Sequence, residues 1–191
     1  MRFLIVLFVL CVGQRSVAQK ISTVSSRWND SFVEWDVFSV AKDEDTGEPV
    51  DAPYGELKLR WLNIKDDFSE WTYELGGRRG TIRQKWKNDP TQWELRTYEG
   101  DVITMKAPWS NDVHEWRITD NNLSITLKSR WSNQLDEWLV EDTHRGRFYL
   151  YTLHTGDPRD WAVEDDFKEE ITEPMKMALI FLVIFHSSPK G

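Results

Sequence analysis

The octapeptide WSNDVHEW, residues 109–116, returns almost unchanged as WSNQLDEW at 131–138. Aligned on its last residue, the same unit occurs as WNDSFVEW at 28–35, IKDDFSEW at 64–71, WKNDPTQW at 86–93 and HTGDPRDW at 154–161. The closing position is Trp35, Trp71, Trp93, Trp116, Trp138 and Trp161. The opening position is Trp28, Ile64, Trp86, Trp109, Trp131 and His154. Ten of the eleven tryptophans are thereby placed, leaving Trp61. Successive closing tryptophans lie 36, 22, 23, 22 and 23 residues apart, so one repeat runs through the chain with a single insertion in its first gap.

The middle of each unit is turn chemistry. Its third residue is Asp, Asn or Gly, its fourth is Asp in four copies, and two copies continue with Pro. An Asp carboxylate accepts bonds from nearby backbone N–H groups, and a proline ring presets φ for a type I turn. The flanks alternate with period two. Before the turn, Ile125, Leu127, Ser129 and Trp131 share a face; after it, Trp138 and Val140 do. Each unit therefore reads as a β-hairpin with a loop of about four to six residues. On this reading the opening and closing residues oppose each other as a cross-strand pair that pins the register, contributing about 0.2–1 kcal/mol. On the other face Lys85 and Glu94 form a solvated charge pair.

Six hairpins give an all-β fold, an antiparallel meander of about twelve short strands. Such a sheet must hide its edges by closing into a barrel, by curling into a sandwich, or by stacking as a solenoid. Tight turns are expected at the other strand ends, around Gly76-Gly77, Gly100, Asn121 and Gly146. The insertion at 42–55, KDEDTGEPVDAPYG, is acidic and turn-rich and reads as a mobile loop. The segment PMKMALIFLVIF, residues 174–185, differs in kind. It is apolar all round, so it must be buried. Its proline at the start suits a helix better than the alternative strand, and about twelve residues is too short for a membrane span. It is expected to plug the curved sheet as residues 174–191 of the same domain.

Residues 1–18, MRFLIVLFVLCVGQRSVA, have the basic start, short apolar run and small residues Ser16 and Ala18 of a cleaved signal peptide. Secretion or periplasmic export follows, with 19–173 as the hairpin domain. Cleavage would remove Cys11, the one cysteine. The net charge of −8 becomes two units more negative without Arg2 and Arg15. That acidity argues against nucleic acid or anionic lipid as partner. The unit length is similar to that of MORN repeats, whose glycine framework is absent. The paired aromatics are similar to those of choline-binding repeats, whose Gly-Trp and Tyr-Tyr signatures are absent. Nothing is carried over from either.

The sequence has no G-x-S-x-G, no H-E-x-x-H and no phosphate-cradling glycine loop. A non-catalytic binding or scaffold protein without a cofactor is expected, its partner a glycan or a protein held by the aromatic sheet surface. The alternatives are a carrier of a small apolar ligand inside the barrel and a hydrolase acting on surface glycans or peptides. The unit that departs from the pattern suggests a ligand site: His154 facing Trp161, with Tyr149 and Tyr151 upstream and Trp116 and Trp138 as further ring platforms. Asp89, Asp112 and Asp157 serve as turn caps, with calcium ligation as the alternative.

Overall fold

The computed structural model describes residues 19–190 apart from 65, 88 and 111, so the expected signal segment lies outside the described residues. Twelve antiparallel strands form one closed barrel in strict up-and-down order. They are β1 (Ile21–Trp28), β2 (Ser31–Lys42), β3 (Pro49–Leu59), β4 (Glu70–Leu75), β5 (Arg78–Gln84), β6 (Gln92–Thr97), β7 (Val102–Lys106), β8 (Glu115–Thr119), β9 (Ser124–Ser129), β10 (Glu137–Asp142), β11 (Gly146–His154) and β12 (Asp157–Asp165). β1 pairs with β12 through Val24 and Trp161, which leaves no open edge. A single helix, α1 (Glu173–Ser187), follows.

Period-two alternation decides the two faces. Ile82, Trp93, Leu95, Ile103, Met105, Ile118, Leu127 and Val140 all point inward and are buried, with charged residues between them facing out. Eight strands already enclose a space that side chains alone can fill, so twelve leave room for more. α1, with a helix diameter of about 10–12 Å, fills it. Every residue from Pro174 to Phe185 is buried, which is why the segment has no polar stripe. The lumen therefore holds α1, and the interior envisaged for an apolar ligand is taken by the chain itself.

One charge lies in that plug. Lys176 Nζ donates to Asp165 Oδ2 at 2.7 Å, and the same oxygen accepts the Ile21 N–H at 3.2 Å. Both side chains are almost wholly buried. This pair ties α1 to the two strands that close the barrel.

Because the meander is strict, the six tryptophan loops all lie at one end, here called the mouth, and the tight turns lie at the other, the base. The base turn between β4 and β5 uses Gly76 and Gly77, at φ +56° and +79°, a conformation that side chains other than glycine's resist. The segment read as a mobile loop is instead largely strand. β2 and β3 run on in register as far as Lys42 and Pro49, leaving only a six-residue turn whose Asp43 caps Asp45 and Thr46. Continued ladder bonds order it despite its acidity.

Candidate functional site

The mouth is built six times from one local design. In every unit the closing tryptophan points inward and its indole Nε1 donates to the carbonyl three residues earlier. The acceptors are Phe32, Phe68, Pro90, Val113, Leu135 and Pro158, at 2.8–3.0 Å. That acceptor residue is apolar in all six copies and turns back over the barrel end. The aspartates beside it act as turn caps. Asp67, Asp89, Asp112 and Asp157 each accept the backbone N–H two residues on. Side-chain bonds from Ser69, Thr91 and Arg159 to the first, second and fourth, and the backbone bond to Asp112, hold the carboxyls below their usual range. Asp89, Asp112 and Asp157 thus sit on three separate hairpins. Among the described residues no three His, Cys, Asp or Glu side chains come together as a metal-binding group.

The expected pairing of opening with closing residue is not what forms. Trp35, Trp93, Trp138 and Trp161 face Ser26, Gln84, Ser129 and Thr152, each two residues before its opening position. In the third and fifth units the ladder ends one residue before the opening tryptophan, with Lys85 N–H bonded to the Gln92 carbonyl and Arg130 N–H to the Glu137 carbonyl. In the first it runs past a bulge to pair Trp28 itself with Ser31. Trp86 and Trp109 then begin a turn, their carbonyls accepting from Asp89 and Asp112. They are the first residues of the loop and not the last of the strand. By the same register Trp71 faces Leu59, which makes Trp61, and not Ile64, the opening residue of the second unit, with a loop three residues longer. Lys85 likewise does not pair with Glu94, which faces Arg83 and bonds Arg96.

The consequence is a crown. Trp28, Trp61, Trp86, Trp109 and Trp131 are all exposed at the mouth, Trp109 to 69%, while the closing tryptophans are buried. They recur on every second strand, roughly 10 Å apart around the rim by the usual strand spacing. His154 holds the sixth place and is exposed. Two of the rings are held by their own hairpins. Arg60 lies over Trp61 at 4.9 Å while the indole donates to Glu70, and Arg130 lies over Trp131 at 5.1 Å while bonding Glu137. A cation over an indole face and a carboxylate on its N–H both orient the ring.

The six residues expected to share a ligand site are placed in three different environments. Trp116, Trp138 and Trp161 line the interior, Trp116 against the ring of His186 at 4.8 Å and Trp138 against Ser187. Burial pushes the His186 imidazole down to about 3, so it is a neutral filler of the plug. Tyr149 and Tyr151 lie side by side on the outer wall, ring centres 5.1 Å apart and tilted by 34°, where Tyr149 bonds Glu137 and Arg130. His154 stands on the rim. The structure does not bring them together.

What the sequence reading missed is the crown itself, and a signal for it was present. Arg27, Arg60, Lys85 and Arg130 directly precede four of the five crown tryptophans, which marks Trp61 as one of them.

Inside the crown, the mouth is not flush. A cleft of about 350 Å³ opens between the last turn of α1 and the loops of the first two units, walled by Phe32, Trp35, Phe68, Trp71 and Phe185. The chain matches no known family model, and neither the curated proteins nor the solved structures contain a significantly similar one.

Proposed function

We propose that the protein is an exported, non-catalytic binding module that takes a glycan on its crown of tryptophans. The observation that supports this is the gathering of five exposed indoles on one rim. Their recurrence at the same place in five hairpins sets them on one ring, all facing the same side of the molecule. The rings do not merge into an uninterrupted apolar patch of the kind that buries protein partners. Trp61 and Trp131 each stand beside an arginine and a glutamate of their own hairpin. A sugar presents a C–H face and a hydroxyl edge together, and an indole flanked by charged hydrogen-bonding groups meets both.

The test is a titration of the protein against a panel of soluble oligosaccharides, read by tryptophan emission and calorimetry. At least one glycan class should bind, and the double variant Trp86→Ala/Trp109→Ala should lose at least tenfold in affinity with unchanged denaturation. Binding that survives the double variant, or no binding across the panel, would overturn the reading.

A further inference from the structure

The cleft within the mouth carries a second site, independent of the crown. Its walls are aromatic and aliphatic: Phe32 and Val33 from the start of β2, Phe68 from the second loop, and Ile184 and Phe185 from α1. Lys190 closes one side, its Nζ 3.5 Å from the Phe185 ring centre. Asp30 is the one carboxylate that also lines the cleft. Among the described residues no carboxylate lies within 4 Å of Nζ. Burial without a compensating anion pushes the ammonium down to about 8. Although Lys190 as a whole is exposed, its ammonium rests on the Phe185 ring at the edge of an apolar cavity, an arrangement complementary to a molecule with an anionic head and an apolar body. At about 350 Å³ the space sits at the small end of ligand cavities.

We propose that this cleft binds a medium-chain alkanoate, with its carboxylate on the Lys190 ammonium and its chain against Phe32, Phe68 and Phe185. Trp35 and Trp71 form the inner wall and would report its arrival.

The probe is sodium octanoate, titrated into the full chain by calorimetry and tryptophan emission, with octylammonium and n-octanol as controls. Octanoate should bind saturably at one per chain, and octylammonium at least tenfold more weakly. Lys190→Met should weaken octanoate at least tenfold, a difference of about 1.4 kcal/mol, and leave n-octanol unchanged. Val33→Trp, which fills the cleft from the start of β2, should abolish binding of both in a protein whose urea denaturation is unchanged. Trp86→Ala/Trp109→Ala should leave octanoate untouched, which separates this site from the glycan reading. Octanoate that fails to bind, that binds no better than octylammonium, or that is indifferent to Lys190→Met would overturn the proposal.

Discussion

Trp109 and Trp116 stand seven residues apart in one hairpin and live in opposite worlds. Trp116 is sealed between the barrel wall and α1 with its indole N–H bonded to a carbonyl, and Trp109 projects into solvent. The same contrast holds for each tryptophan pair in the repeat. What separates the two positions is where the regular ladder stops: a residue inside its last rung is held to the lumen face, and one beyond it follows the turn or, as Trp28 does, a bulge. Residue type alone therefore says nothing about role here. Register does.

The contrast can be broken by substitution. The largest effect should come from Trp93→Ala, which removes a ring packed against Phe181 and Phe185, each at 4.7 Å. A loss of about 3–5 kcal/mol in urea denaturation is expected. Lys176→Met should cost a similar amount, about 3–5 kcal/mol, by leaving Asp165 buried and uncompensated. Adding Asp165→Leu to it should recover only part of that loss, since the carboxylate also accepts the Ile21 and Phe167 N–H groups. Smaller is Trp138→Phe, which keeps a ring but loses the indole N–H bonds to the Leu135 carbonyl and Ser187, the Ser187 hydroxyl still donating to that carbonyl; about 1–1.5 kcal/mol is expected. Asp89→Ala, which removes the caps on Thr91 and Gln92, should cost about 1 kcal/mol in the same measurement.

At the far end of the scale, Trp109→Ala should change stability by no more than about 0.5 kcal/mol. It should remove red, acrylamide-quenchable emission while sparing the blue component from the closing rings. A rim substitution as costly as an inner one would mean that the crown is structural after all.

Much of this architecture was legible. The 22–23-residue spacing and the alternation around Trp138 gave six hairpins, and the absence of any polar stripe in 174–185 gave a buried plug. The register was not legible, because a tryptophan seven residues before another fits a symmetric pair as well as a strand end plus a turn. Only the carbonyl of Trp86, bonded to Asp89, distinguishes them. The second unit was misaligned for a related reason: its loop is three residues longer, and alignment on Trp71 placed Ile64 where Trp61 belongs. The extended β2–β3 hairpin escaped because its acidic residues hide an ordinary ladder. The cleft could not have been read at all, since it joins residues near 30, 68 and 185 that meet only once the barrel closes.

α1 follows all twelve strands in the chain, and this order has a kinetic consequence. The inner face of the sheet has nothing to pack against until the last part of the domain has been made. The strands can pair locally as hairpins while the chain emerges, but twelve of them around an empty lumen would expose a continuous apolar surface. Folding of the barrel thus waits on α1, governed by the slow joining of β1 to β12 across more than a hundred residues and the seating of a segment made after both. Until that moment the unfilled sheet is vulnerable to aggregation, and the seating of α1 is the step that ends the hazard.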